Sequence, residues 1–259
     1  MNPNEILKML QEQDYAVFGT GYVAGMLLKA LEKQKALEHL RFFCRSEAKA
    51  GESFHTYPVL PLQEAESRGL PILLAVHDGN LASLPQSVRM IRVYPFLKDW
   101  LFGAPLRQEL LRTAQIRQRQ PEDQYWIAVR YAGIAGIKEN DPAKKELYVR
   151  TMALHSSRET AEKRLLALEK LLQEAEVHGL DPRRPLVLDE DLRVIDGLHR
   201  LAVAAWCTIP EVQTVIYPRS GIYEELFDER NRLPEHFLRA QGISEQEIAY
   251  LMECKKRCG

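Results

Sequence analysis

Apolar residues fall in short continuous runs over the first hundred positions. Tyr15-Ala16-Val17-Phe18, Leu40-Arg41-Phe42-Phe43-Cys44 and Pro71-Ile72-Leu73-Leu74-Ala75-Val76 have the length and composition of strands buried on both faces. Tyr57-Pro58-Val59-Leu60 and Ile91-Arg92-Val93-Tyr94 read as further strands. Between the first two runs, Met26, Leu27, Ala30 and Leu31 recur at helical spacing, and residues 4–12 read as a leading helix. Strand alternating with helix predicts a parallel sheet with covering helices, assigned to residues 1–100.

The second half has a longer rhythm. Residues 101–120 carry Arg107, Arg112, Arg117 and Arg119 among several glutamines and predict a polar connecting helix. Residues 122–138 fit a helix or a strand, so 101–140 is taken as a helical connector. Asp141-Pro142 is a helix start, with Asp as cap and Pro in the first turn. Leu165, Leu168, Leu171 and Leu172 stripe a helix over 157–177, and Gly179 supplies its left-handed end. Pro185–Leu188 and Leu192–Ile195 read as the two strands of a hairpin, turning at Asp189-Glu190-Asp191. Leu198–Trp206 is a helix and Val212–Tyr217 a closing strand. Residues 141–222 are read as a second, α+β domain, and 223–259 as a C-terminal helical segment.

Composition narrows the function classes. The chain of 259 residues is 46% hydrophobic, enough for more than one core. Lys+Arg number 35 and Asp+Glu 36, so no broad basic surface attracts nucleic acid, and none is expected as a partner. No apolar stretch is long enough to cross a membrane, and Met1-Asn2-Pro3-Asn4-Glu5 lacks the positive start of a signal peptide. A cytoplasmic protein without a membrane partner is the expectation. Cys44 and Cys207 sit in apolar runs as buried thiols. Cys254 and Cys258, four apart on a helix, make at best half a metal site.

Two glycine turns carry the candidate chemistry. Gly19, Gly21 and Ala24 fit G-x-G-x-x-G/A after a strand and before a helix, a setting that suits a dinucleotide pyrophosphate. The carboxylate that would hold the NAD ribose is absent; Cys44-Arg45-Ser46 stands there, and Arg45 suits the extra phosphate of NADP. His77, after the Pro71–Val76 run, completes this possible ligand site. The second turn is Val194-Ile195-Asp196-Gly197-Leu198-His199-Arg200. Gly197 permits close approach of backbone, the helix start offers N–H groups to an anion, and Arg200 offers a planar fork to phosphate. His199 can donate a hydrogen bond or move a proton. Asp196 can orient His199, bind a sugar hydroxyl or hold magnesium through water. Equally, Asp196 can be a plain N-cap and Arg200 a surface residue.

The stretch from about Met152 to Tyr217 resembles the ParB/sulfiredoxin-like fold. The matching features are the leucine-striped helix, Gly179, Pro185–Leu188, Ile195-Asp196-Gly197-Leu198-His199-Arg200-Leu201-Ala202 and the strand at 212–217. The resemblance implies a nucleotide, ATP or CTP with Mg2+, whose phosphates sit on Gly197, His199 and Arg200. Position 198 is Leu where sulfiredoxin needs a cysteine, which removes thiol chemistry. Only about forty residues follow Tyr217, too few and too weakly basic for the DNA-binding region of partition proteins. The free-serine-kinase-like members carry an acid shortly after a histidine, upstream of the leucine helix. His155-Ser156-Ser157-Arg158-Glu159 stands in that place at a different offset, which makes Glu159 a candidate general base, with Glu162 as the alternative. The front domain resembles the Rossmann-like domains attached to bacterial sugar-modifying enzymes. The expectation is therefore a kinase acting on a hydroxyl of a small molecule or glycan, with Asp196, His199 and Glu159 catalytic and Asp196 on the metal. A nucleotide sensor without turnover and an NADP-linked oxidoreductase are the alternatives.

Overall fold

The computed structural model describes residues 2–46, 51–76, 90–154, 156–226 and 232–258. Its chain is an α/β protein of two compact units, Met1–Gly103 and Ala104–Gly259. His77 and His155 lie outside the described residues.

The first unit holds one sheet. Its strands are β1 Tyr15–Phe18, β2 Leu40–Arg45, β3 Ser53–Phe54, β4 Tyr57–Pro61, β5 Ile72–Leu74 and β6 Met90–Arg92, in the order β3-β4-β2-β1-β5-β6. All neighbours are parallel except the short β3. Ala16, Phe18, Phe42, Cys44, Ile72 and Leu74 share one face with Leu62 and Ala65 of α3 (Leu62–Ser67). Their alternates Val17, Phe43 and Leu73 are buried on the other face, which explains the unbroken apolar runs. Beside α1 (Pro3–Glu12), α2 (Tyr22–Lys33) packs on α4 (Tyr94–Phe102). Lys33 and Gln34 donate to the carbonyls of Leu101 and Trp100 and tie off that helix end. Strand order reverses at β1, so Gly19 sits at the crevice where open parallel sheets take ligands.

The second unit holds a four-stranded sheet in the order β7-β10-β8-β9. The strands are β7 Arg107–Arg112, β8 Leu186–Asp189, β9 Val194–Asp196 and β10 Glu211–Tyr217; only β10 and β8 are parallel. The hairpin β8–β9 is closed by Asp189, whose buried carboxylate accepts from the Arg193 backbone N–H at 2.9 Å and its Nε at 2.7 Å. The helices are α5 Thr113–Gln118, α6 Trp126–Lys138, α7 Pro142–Ala153, α8 Arg158–His178, α9 Leu198–Trp206, α10 Ile222–Leu226, α11 Glu235–Ala240 and α12 Glu245–Cys258.

Two expectations are corrected here. The stretch 101–120, expected as one polar connecting helix, includes the short helix α5 but also the edge strand β7, paired antiparallel with β10 from Arg107↔Ile216 to Arg112↔Glu211. Its arginines face water, so an edge strand carries the same polar signature as a solvated helix. Residues 101–140 do not form a separate connector: from Ala104 on they belong to the same compact unit as the second domain and the C-terminal helical segment. The ambiguous 122–138 segment is the helix α6, and Ile248, Leu251 and Cys254 of α12 join the same core as α6, α8 and α9. Cys254 is thereby a buried free thiol, while Cys207 is only partly buried.

α6 is apolar nearly all round because α7, α9 and α12 all pack on it. Its glycines permit that crowding. A Cβ on Gly136 would lie 2.8 Å from the Lys145 nitrogen and 3.1 Å from the Lys144 carbonyl carbon. A Cβ on Gly133 would lie 2.6 Å from the ring of Tyr148. Alanine gains about 1 kcal/mol of helix propensity over glycine, but overpacking against backbone costs about 1–3 kcal/mol. Gly136→Ala is therefore expected to lower the urea unfolding midpoint; a raised midpoint would show that α7 moves away freely.

Candidate functional site

The sequence Ile195-Asp196-Gly197-Leu198 passes from strand to helix through a left-handed residue. Gly197 has φ 108° and ψ 18°, and caps α9 without any side-chain cap. The N-terminus of a nine-residue helix thus presents its first-turn N–H groups uncapped by a side chain. Leu201, Ala202, Val203 and Ala204 bury the helix and fix its direction.

The reason for glycine is not the one the sequence suggested. The volume a Cβ would take at Gly197 is bounded by protein: Leu186 Cδ2 at 2.5 Å, Arg200 Nη2 at 3.0 Å and Arg200 Nε at 3.3 Å. The turn itself requires glycine, and Arg200 lies folded over it. Arg200 Nη1 donates to the carbonyls of Arg184 and of Pro185, the latter at 2.7 Å, and Nη2 stands 3.8 Å from Asp196 Oδ1. The guanidinium expected to grip phosphate is thus largely committed to fastening the turn to the chain entering β8.

His199 is held from two sides. Arg130 Nε donates to its Nδ1 at 3.3 Å, and Tyr148 Oη lies 2.8 Å from its Nε2. A guanidinium only donates, so Nδ1 is bare and the neutral ring carries its proton on Nε2, directed at Tyr148. Burial, then the charges of Arg130 and Arg164, hold the imidazole pKa well below 6.5; Asp196 opposes them, and Arg200 adds to them. His199 is therefore neutral near pH 7 and serves as an acceptor for Arg130. Tyr148 is fully buried, with its pKa raised to about 12 by desolvation, and acts by orienting the ring.

Arg130 and Arg164 are the residues that sequence reasoning missed. Arg130 is 8% exposed, stacks over Trp126 at 4.8 Å and donates through Nη1 to the Trp126 carbonyl at 2.9 Å. Burial first, and Arg164 next among the lowering causes, bring its pKa down to about 10. Arg164 is drawn down by burial too, and among the described residues no carboxylate pairs with it. The charges acting on His199 are thus Arg130, Arg164 and Arg200 against one carboxylate, Asp196. Partly buried like charges of this kind are costly alone and are relieved by an anion. A signal for Arg130 existed in the sequence: it is the one charged residue in the apolar run from Trp126 to Ile137. Arg164 had none, since α8 also carries Arg158, Lys163 and Lys170.

The remaining predicted residues fall apart. Glu159 is not brought to the turn. It lies on the exposed face of α8, 2.6 Å from Lys163, with its carboxyl held low by that lysine. Five residues separate it from Arg164, about 140° around a helix, so the two cannot share a face. Glu162 pairs with Arg158 at 3.0 Å. Among the described residues, Asp196 is the carboxylate that acts on His199 at the turn. No group of three or more His, Cys, Asp or Glu gathers as a metal cage among the described residues. In the first unit, Gly19 has φ 111°, and a Cβ there would meet the Ala75 carbonyl oxygen at 2.9 Å. Gly21 caps α2 facing open space. Arg45, expected to meet a phosphate, pairs instead with Glu52 at 2.5 Å.

A pH dependence follows from His199. Its unfolded pKa is about 6.5, and its folded pKa is well below. Above that pH neither state binds the proton. As pH falls, the unfolded chain takes up a proton that the folded chain refuses, and stability drops by up to about 1.4 kcal/mol per pH unit. His199→Gln should flatten this part of the profile in urea unfolding between about pH 7.5 and 5. A variant profile as steep as wild type would place the acid sensitivity elsewhere. No protein-family model matches the chain, and no curated protein or solved structure matches it.

Proposed function

We propose that the second unit is a ParB/sulfiredoxin-like nucleotide-binding domain, following a Rossmann-like one, and that it transfers a phosphoryl group to a hydroxyl of a small molecule or glycan. The observation that carries the reading is the surplus of positive charge around the uncapped start of α9, with Arg130 and Arg164 beside His199 and one carboxylate, Asp196. Such a site favours a multiply charged anion, and a strand-to-helix turn favours phosphate.

In this reading the phosphates of ATP or CTP lie on the N–H groups after Gly197. Arg164 supplies the accessible cation. Arg130 supplies a buried one, aimed by the Trp126 carbonyl and by neutral His199. Arg200 keeps the turn in shape and adds its charge. Asp196 is the residue to receive magnesium through water, or the acceptor's proton; a triphosphate supplies most magnesium ligands itself. The acceptor hydroxyl oxygen bonds to the terminal phosphorus, the bond from that phosphorus to the bridging oxygen breaks, and the nucleoside diphosphate leaves. The hydroxyl proton passes to Asp196. Positioning and charge dominate this chemistry.

A second reading, a nucleotide sensor without turnover, gains from the position of Glu159, which faces water and pairs with Lys163. An NADP-linked oxidoreductase at Gly19 and Gly21 is weakened by the Arg45–Glu52 ion pair.

Phosphorus NMR of the protein with ATP or CTP, magnesium and a panel of alcohols and sugars separates these readings. Acceptor-dependent diphosphate supports the kinase, while binding without turnover supports the sensor. Arg164→Gln should weaken nucleotide binding about tenfold or more. It should leave stability unchanged or raised, because an unpaired, partly buried charge is removed. Undiminished affinity in that variant would sink the phosphate assignment.

A further inference from the structure

The sheet of the second unit ends in an open edge. Among the described residues β7 pairs with β10 alone, at one end of the order β7-β10-β8-β9. Just past β7, the Thr113 N–H bonds the Pro210 carbonyl at 2.9 Å. Bonded and unbonded pairs alternate along an antiparallel ladder, so in the register Arg112↔Glu211 the odd-numbered residues of β7 turn their backbone groups to β10. Gln108, Leu110 and Arg112 therefore direct their N–H and C=O groups outward, as a template for another strand. Leu110 stands on this edge 60% exposed, and Leu106 beside it 49% exposed. Leu106 is anchored to the sheet through its N–H on the Ile216 carbonyl at 2.8 Å.

The residues of this edge select the strand that fits it. Two copies of β7 meet antiparallel about a twofold axis when outward-directed groups face each other. The registers that overlap most of the strand centre on Gln108, Glu109 or Leu110. Centring on Glu109 sets that carboxylate opposite its own copy, a repulsive pair. Centring on Leu110 puts Glu109 opposite Leu111 and Arg107 opposite Thr113, with no charge matched. Centring on Gln108 sets Arg107 opposite Glu109 of the second copy, and Glu109 opposite its Arg107. The same register brings Leu106 of each copy opposite Leu110 of the other. Charge and exposed apolar surface are thus self-complementary in one register, and the charges disfavour or ignore the other two.

We propose that the chain forms a homodimer by antiparallel pairing of β7 with β7 of a second copy, centred on Gln108. The two four-stranded sheets then run on as one sheet. The N–H of each Gln108 donates to the carbonyl of the other. Arg107, already 2.7 Å from Glu109 of its own strand, lies between that carboxylate and Glu109 of the second copy, so the four charges alternate in sign. Leu106 and Leu110 lose the water that they face in a single copy. Pairing along one edge buries less than a standard interface, so the dimer is concentration-dependent, with a Kd on the order of micromolar. No residue of the α9 turn takes part.

The test is sedimentation equilibrium of the full chain at concentrations up to about 200 µM. The weight-average mass should rise towards twice that of one chain, and a monomer over the whole range would overturn the proposal. Leu110→Lys should weaken the dimer about tenfold or more and leave the melting temperature of dilute protein unchanged, since the side chain is exposed in a single copy. Glu109→Arg should weaken the dimer as well, by setting two arginines opposite each other. Arg107→Glu combined with Glu109→Arg should restore it, because the exchanged charges match again in the register centred on Gln108 and in neither of the others. A dimer that both single variants leave untouched forms elsewhere and would overturn the assignment to β7. A double exchange that fails to restore the dimer would overturn the register.

Discussion

The second unit depends on a buried arginine. Arg130 sits in the middle of the apolar helix α6, with its guanidinium over Trp126, one donor on the Trp126 carbonyl and another on His199. A charge in such a place is tolerated only if its donors are met. Meeting them fixes the imidazole of His199 and its tautomer. That in turn positions Tyr148, which the absence of a side chain at Gly133 allows to lie against α6. Three helices, α6, α7 and α9, are therefore tied together by polar contacts inside an otherwise apolar core.

That arrangement also explains why the turn after β9 holds an excess of positive charge. Arg130 cannot leave without exposing the Nδ1 of His199 to an unmet position. Arg164 approaches from α8 with no carboxylate among the described residues to offset it. Arg200 is held by backbone carbonyls, and Asp196 is the countercharge beside it among the described residues. The electrostatics thus favour anion binding even though the arginine first nominated for phosphate has a structural task. Arg130 and Arg200 are thus held in place by their hydrogen bonds, a rigidity that a charged site needs.

Gln124 shows a different kind of deficit, one of hydrogen bonds and not of countercharge. Its buried amide, paired at neither end, lies close in sequence to Gln120, whose amide is paired at both ends with α5 and the β9 hairpin. Gln120 locks the sheet to the helices, while Gln124 is packed away from solvent with its amide unmade.

Sequence patterning by itself determined the local elements. The runs at Tyr15–Phe18 and Leu198–Trp206 have the bounds expected of them, because continuous apolar runs, an αL glycine and a helical stripe are set by nearby residues. The Asp141-Pro142 start of α7 and Gly179 after α8 are legible for the same reason. What tertiary structure alone decided is which residues meet. β7 is a strand because β10 needs a partner along its edge, which no periodicity in Arg107–Arg112 announces. Glu159 lost its place because helix phase turns it away from the leucine-striped face. Arg130, Tyr148 and Arg164 gained theirs because three separate helices converge on one imidazole, a relation between residues up to 69 positions apart. The turn at 196–200 was readable from its own five residues; the charge around it comes from helices packed against it.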